Sequence, residues 1–568
     1  MKRTAVVIGG GLAGLAAATE LTTQFRSAGS GESIGEVILI EKNQHLGGKM
    51  NVFSEQQYHF DMGPTIITMP EIVRGIIRRS GRRVEDYLEL VRLDPQWRCF
   101  FEDGVVLDLR DDPAVFAAEL DRQFPSAKPG QGYLEFLQYA RRMYRLSEKV
   151  FFYKDLGGIL DMMRKPPKDA GVLGDALRMR MYSTVAGTAH RSITEPHLRQ
   201  LSEHFLQYVG SSPFLSPAIL SLIAAAQGDY GCWYTMGGTR MVARSLERIF
   251  VEQGGRVERG VGVRRILVDA GRVTGVELQD GRSISADIVI SNCDVQRTYT
   301  DLIGTPAAKS AQRAIAAKYE PACSGVVLYL GLNRRYEHLR HNCFLFSKDS
   351  NAEFDDIYKR GEPARDPTLY LCVPSATDPS QAPAGCESLY ILVHTPYLRA
   401  HHDWDAPNGL FDKYRRTILD KLKRFGMEDI EQHIVVERRL TPAGIDRMYN
   451  ATGGAIYGLA SHGKLHGGFK PRNTSSVAKG LYLAGGSANP GPGTPMVMMS
   501  GVTAAWSACE GLGIEPDRSA TSVGQGATVG KIMATTSLLT GELLDRSEEQ
   551  QGSESRGEQS CSQIAMTR

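Results

Sequence analysis

The chain has almost no net charge: 66 Lys and Arg stand against 64 Asp and Glu over 568 residues. A nucleic-acid binder needs a positive field to gather phosphates, so that class is disfavoured. No C-x-x-C pair occurs, and the nine cysteines are an odd number. This fits reduced thiols in the cytosol better than a disulfide framework. Long apolar runs are missing too. The longest, PFLSPAILSLIAAA at 213–226, falls short of the roughly twenty residues that span a bilayer. The opening MKRTAVVIGGG has the basic-then-apolar pattern of a signal peptide, but glycines break the run and no A-x-A site follows. What remains is globular composition, 42% hydrophobic and 23% charged, in a chain too long for one core. Sixty glycines are present, gathered in turns rather than repeats.

The first glycine cluster organises the rest. Residues 5–8, AVVI, predict a short buried strand, and Gly9, Gly11 and Gly14 follow in G-x-G-x-x-G spacing. Helix-forming sequence, LAAATEL, continues from 15 to 21. Such a strand–turn–helix exposes the first helix N–H groups, here with Leu12 and Ala13 in the turn, as a pyrophosphate site. Gly9 permits the turn, Gly11 lets backbone approach phosphate, and Gly14 lets helix and sheet pack closely. A second strand, VILI at 37–40, ends in Glu41 and Lys42. An acid there accepts from both ribose hydroxyls of an adenosine and repels a 2′-phosphate, which disfavours NADP. The polar, glycine-rich connection QFRSAGSGESIGE accounts for the extra length between Gly14 and Glu41.

The next segments resemble the phytoene desaturase (carotenoid desaturase) family, within the wider amine oxidase-like flavoproteins. NQHLGGK at 43–49 carries Gly47, Gly48 and Lys49, and FDMGPT at 60–65 carries Gly63, Pro64 and Thr65. YGCWYTMGG at 230–238 and VISNCD at 289–294 follow in the family's order. By that match Val263, with Ile266 after it, covers the adenine. GLYLAGGSANPGPGTPMVMMSG at 480–501 carries the family's L-x-G-x-x-x-x-P-G-x-G-x-P pattern, with Gly485, Gly486, Pro495 and Met496 beside the flavin. A helix starting near Pro495 sets its positive end against the flavin ring, whose negative charge grows on reduction. Many relatives have an acid where Gly486 and Ser487 stand here. No cysteine lies in this segment, so a covalent thioether flavin is not indicated.

The resemblance implies an α/β fold: a Rossmann-type FAD-binding domain, glutathione reductase/amine oxidase-like, with an inserted α+β substrate and membrane-associating domain. The expected FAD-binding parts are 1–69, 230–300 and 470–515. A mainly helical insertion fills 70–229, a second substrate part 301–469, and a disordered polar tail 516–568. Strands are expected at 256–263 and 272–278, and at 325–332, 369–373 and 389–394, the last three walling the substrate cavity. Arginine clusters at 74–83 and 141–145, and a third basic cluster at 164–168, read either as a solvated face or as a surface for anionic lipid headgroups. The apolar run 213–226 is then either its partner or an ordinary buried helix. His401, His402, Asp403 and Asp405 show no third ligand at a telling spacing, so no metal is expected.

The implied activity is FAD-dependent desaturation of a carotenoid or related long isoprenoid, with non-covalent FAD. One hydrogen leaves as hydride to flavin N5 and the other as a proton; quinone or O2 takes the electrons. No side chain is singled out as catalytic, although Asp61 and His59 are possible bases. Carotenoids dissolve only in membranes, so a cytoplasmic protein lying peripherally on the inner face of the cell membrane is expected. Alternatives are a carotenoid cis–trans isomerase or retinol-saturase-like flavoprotein, an amine oxidase, and a non-enzymatic flavin scaffold.

Overall fold

The computed structural model describes residues 2–29, 33–158, 161 and 179–521. Residues 5–8 lie within the strand Arg3–Ile8, and Ala5, Val6 and Val7 are fully buried. A strand buried on both faces calls for parallel partners. Ile288–Ser291 pairs on one side and Gly35–Glu41 on the other, both parallel. Leu481–Leu483 and Arg256–Arg259 complete a five-stranded parallel sheet drawn from distant parts of the chain.

Both faces are covered. On one, the helix Leu12–Ala28 packs against the helices Arg240–Glu252 and Thr494–Gly511. The last contact is very close: a Cβ on Gly501 would lie 2.2 Å from the Ala13 carbonyl oxygen. On the other face lies an antiparallel meander, Val263–Asp269, Arg272–Leu278 and Ser283–Ser285. Its first turn has Ala270 and Gly271 both at positive φ, the geometry of a two-residue hairpin. The single strand expected at 256–263 is instead two. Gly260, at φ +72, turns the chain after Arg259, so Arg256–Arg259 joins the parallel sheet and the meander starts at Val263.

A second, seven-stranded sheet has the order Ile434–Leu440, Ser324–Leu332, Glu387–Thr395, Leu369–Cys372, Asn342–Leu345, Trp97–Phe100, Val106–Leu109. All its pairs are antiparallel except Asn342–Leu345 with Trp97–Phe100. The segment read as mainly helical therefore also sends two strands into this sheet.

The arginines do not form one basic surface. Arg79 is wholly buried, its guanidinium 2.9 Å from the Glu20 carboxylate, which also accepts from Trp506 Nε1 at 2.8 Å. Arg141 is buried against Asp229 at 2.6 Å. Arg74 and Arg78 pair with Glu71, and Arg82 with Glu252. The basic cluster at 164–168 and residues 522–568 of the tail lie outside the described residues. The eight described cysteines are free thiols. Among the described residues no helix is long and apolar enough to cross a membrane.

Candidate functional site

The main cavity among the described residues, about 850 Å3, is lined by residues of both sheets. At one end its wall is backbone. Gly9, at φ +90, turns the chain out of its strand, and Gly9, Gly11, Leu12 and Ala13 line the cavity. The helix Leu12–Ala28 starts from Gly11 with no side-chain cap and no acid in its first turn. Its first N–H groups and its positive end stay available to an anion. Gly14 is not on the lining. A Cβ there would lie 1.9 Å from the Gly9 carbonyl oxygen, so its bareness seats the helix on the turn.

Glu41 stands buried at its strand end, on the lining with the exposed Lys42. One carboxylate oxygen accepts from Gly10 N at 2.7 Å, the other from Asn43 N and Nδ2 at 2.9 and 2.8 Å. The oxygen that accepts from Gly10 keeps one lone-pair site for a hydroxyl, while the other is already filled by Asn43. Gly47 donates its N–H to the Gly10 carbonyl at 2.8 Å, and a Cβ on Gly48 would lie 3.0 Å from Gly11 Cα. Lys49 Nζ donates to the Ala455 and Ile456 carbonyls at 3.0 and 2.9 Å, and burial lowers its pKa to about 8. Val263, Gly63, Pro64 and Thr65 are on the lining as well.

Gly485, Gly486, Pro495 and Met496 face the same cavity from the other end of the chain. The helix Thr494–Gly511 starts from Gly493 at φ +106, again without a side-chain cap. Asn292 joins the two turns. Its Nδ2 donates to the Gly9 carbonyl at 3.2 Å, and its Oδ1 would be 2.8 Å from a Cβ on Gly485. The sequence shows Asn292 in the motif VISNCD at 289–294 without assigning it a contact. The signal was the polar triplet Asn292, Cys293, Asp294 directly after a fully buried run.

Asp61 and His59, the possible bases, are not on the lining. Asp61 accepts from Thr239 N at 3.0 and 3.1 Å, and His59 Nδ1 meets Ser54 Oγ at 2.6 Å. Burial raises the Asp61 pKa to about 6, opposed by the Thr239 hydrogen bonds. Trp233 and Tyr234, of the segment 230–238, are off the lining as well; the Arg74 and Arg92 guanidinium groups lie 5.0 and 5.5 Å from the Trp233 ring centroid.

At its other end the cavity wall is side chain. The seven-stranded sheet contributes Trp97, Val327, Phe344, Tyr370, Tyr390 and Leu392. Trp97 and Phe344 rings lie 4.6 Å apart, Phe344 and Tyr370 4.9 Å, Tyr370 and Tyr390 6.1 Å. The apolar run 213–226 is neither a plain buried helix nor a detached surface patch. Ala224, Ala225 and Ala226 are buried, while Ile219, Leu220, Leu222 and Ile223 are half-buried and line the cavity. The Glu362 carboxylate lies near His401 and His402, a third group that local spacing could not reveal. His402 already uses both ring nitrogens, on Gly361 O and Arg399 N, so the cluster is not an open ligand set.

The donors present fit a dinucleotide: two uncapped helix ends, glycine turns that a Cβ would obstruct, and an acid at the second strand end. Together with an apolar wall, they make a site of the class that holds a nucleotide cofactor beside an apolar substrate. Residues 12–509 match the family described as flavin containing amine oxidoreductase, and the chain belongs to that family. It is a flavin-dependent oxidoreductase. It is 38% identical over 498 residues to 4,4'-diapolycopene oxygenase of Methylomonas sp, covering 87% of this chain and 96% of that one. It is 36% identical to 4,4'-diaponeurosporene oxygenase of Staphylococcus haemolyticus, covering 87% and 95%. Among solved structures, cyclohexylamine oxidase from Brevibacterium oxydans has the same fold, with TM-score 0.56, 16% identity and coverage of 90% and 100%.

Proposed function

We propose that this chain uses non-covalent FAD to oxidise a carotenoid or related long isoprenoid. The observation that carries the reading is one cavity whose wall is glycine backbone at one end and stacked aromatic and aliphatic side chains at the other. The glycine turns at 9–14, 47–48 and 485–486, with Glu41, Lys49, Val263 and Met496, would hold the dinucleotide. Bound there, the flavin would supply hydride acceptance at N5 for oxidation of a C–H bond beside the conjugated system. The chain's own part is to align the polyene, exclude water and offer the positive end of Thr494–Gly511 to developing negative charge. The relatives, named as oxygenases, support addition of oxygen to a carotenoid, which we read as falling at the chain end; desaturation within the chain is the second reading, supported by the family pattern at 483–495.

The mouth suits a membrane-dissolved substrate. Met181 and Leu465 line the cavity yet are 40% and 50% exposed, with Tyr182 beside Met181 at 77%. We read this rim as the place where the protein meets the inner leaflet, with quinone or O2 as the final acceptor. The test is to incubate the purified flavoprotein with lipid-dispersed lycopene or phytoene and a quinone, then analyse products by mass. Gain of an oxygen gives end oxidation; loss of two hydrogens at constant carbon and oxygen gives desaturation. Changed geometry at constant mass gives an isomerase, and no change on any polyene while a primary amine is oxidised removes the proposal. Replacing Met181 and Leu465 by Asp should abolish liposome binding with bound flavin unchanged.

A further inference from the structure

Two histidines stand in the apolar wall. His204 and His394 both line the cavity and are each 6% exposed. His204 packs edge-on against Phe344 and Phe346, with ring centroids 4.6 and 5.1 Å away. His394 stacks on Tyr457 at 6.0 Å. Burial drives their pKa values down to about 3 and about 4, with the His394 charge adding to the fall at His204. Both are therefore neutral imidazoles at neutral pH, each with one N–H donor and one acceptor nitrogen.

Neither is satisfied by the protein. His394 Nε2 is buried without a hydrogen-bond partner, and among the described residues the His204 ring shows ring contacts but no hydrogen bond. One helical turn past His204, Gln207 also lines the cavity, its Oε1 buried and unpartnered. A buried polar atom left unpaired costs about 1–3 kcal/mol. Serving only a hydrocarbon, this wall would be more stable and no less complementary with Phe or Leu at these positions. His394 also adjoins the turns that face the glycine-built end. Its partner Tyr457 follows Ile456, which Lys49 holds, and a Cβ on Gly486 would lie 3.4 Å from the Tyr457 carbonyl oxygen.

We propose that His204 and His394 form a hydrogen-bonding subsite for an oxygen on the end of the polyene, a primary alcohol or an aldehyde. A neutral imidazole can donate to that oxygen, or accept from it when it is a hydroxyl. The proposal rests on the polyene reading above and sharpens it: the subsite brings the end of the chain, not its middle, to the turns facing the cofactor part. An oxygenated polyene is then held better than its parent hydrocarbon.

The test is equilibrium binding to the purified full-length flavoprotein in detergent. The probes are all-trans-retinol, all-trans-retinal and the C20 hydrocarbon with the same polyene but no oxygen. The wild type should prefer the oxygenated probes by about tenfold, and bound retinal should show a red-shifted absorption band. His204→Phe with His394→Phe should erase both while bound flavin stays unchanged, the readout being the ratio of oxygenated-probe to hydrocarbon affinity. His394→Gln, which keeps a donor and an acceptor, should retain part of the preference. Equal affinity for alcohol and hydrocarbon in the wild type, or a preference that survives the double replacement, overturns the subsite and leaves the polyene reading standing. If the Phe variants lose flavin, the wild-type preference and the retinal shift decide. Failure of the wild type to bind any of the three overturns the polyene reading and the subsite with it.

Discussion

The two ends of the cavity are made of different material. At the glycine-built end the wall is main chain, fixed by positions where a Cβ cannot fit: Gly14 against Gly9 O, Gly501 against Ala13 O, Gly485 against Asn292. At the apolar end the wall is side chain, a layer of Trp97, Phe344, Tyr370 and Tyr390 from four strands of one sheet. Main-chain walls are intolerant because a clash with a carbonyl cannot be relieved by a rotamer. Side-chain walls yield, and so can be reshaped for different substrates on one fold.

The largest effects should separate the two ends. Gly14→Ala puts a methyl group 1.9 Å from the Gly9 carbonyl oxygen. Helix and strand must part, at a cost of at least ~3 kcal/mol. The protein should purify without flavin absorbance, if it folds. Leu222→Ala, at the half-buried apolar wall, should cost only about 1–2 kcal/mol and leave flavin content unchanged. Equal flavin loss in both variants would show that the ends are not separable.

Behind each end lies a buried ion pair, and these sharpen the contrast. Glu20–Arg79 ties the helix Leu12–Ala28 to the helix Glu71–Arg79, and through Trp506 to Thr494–Gly511. Arg141–Asp229 ties the helix Gly130–Val150 to Leu222–Tyr230. Glu20→Ala or Asp229→Ala leaves a buried guanidinium without its partner, so each should lower unfolding free energy by about 3–5 kcal/mol in denaturant titrations. Only Glu20→Ala should weaken flavin binding. Replacing both members, as in Glu20→Leu with Arg79→Met, should recover most of the loss.

The same contrast explains what could be read from sequence. Glycine spacing reports main-chain geometry directly, so the turns at 9–14, 47–48 and 485–493 were legible, as were the strands feeding them. The apolar end was legible only in part. Strands at 325–332, 369–373 and 389–394 alternate or run apolar, but Trp97–Phe100 joins them by a parallel pairing across more than two hundred residues, which no local period encodes. Arginine runs misled for the same reason: whether Arg79 meets lipid or Glu20 depends on a residue 59 positions away. His204 and His394 carried no signal alone, since only the fold shows both on one cavity wall without hydrogen-bond partners.

Asp61 sits between the ends, on the strand Tyr58–Asp61, and holds the first N–H of the turn into Arg240–Glu252. Its pKa is raised from 3.8 to about 6 by burial. Between those values the folded state holds a proton that the unfolded state has lost, so stability falls as pH rises from about 4 through about 6. The two-unit shift corresponds to on the order of 2–3 kcal/mol. Asp61→Asn imitates the protonated acid. The wild-type stability should therefore decline relative to the variant across this window and level off above it. A constant difference from pH 4 to pH 7 would show that Asp61 does not titrate there.

The smallest expected effect concerns a hydrogen bond in which the two kinds of wall touch. Thr65, on the cavity lining in the family-like segment 60–65, meets Tyr370 of the aromatic layer at 2.5 Å between hydroxyl oxygens. Tyr370 OH also donates to Asn342 Oδ1 at 2.8 Å, so its proton is committed and the Thr65 hydroxyl must be the donor to it. Thr65→Val removes that donor but leaves the Tyr370–Asn342 bond intact, and should cost about 1 kcal/mol. Tyr370→Phe strands both Thr65 Oγ1 and Asn342 Oδ1 in a buried place and should cost more, about 2–3 kcal/mol. The double variant should fall short of the sum by about 1 kcal/mol, because the shared bond is lost only once. Strict additivity would mean that the aromatic layer is free to shift without disturbing the glycine-built end, and reshaping it for a new substrate would then carry no penalty in cofactor binding.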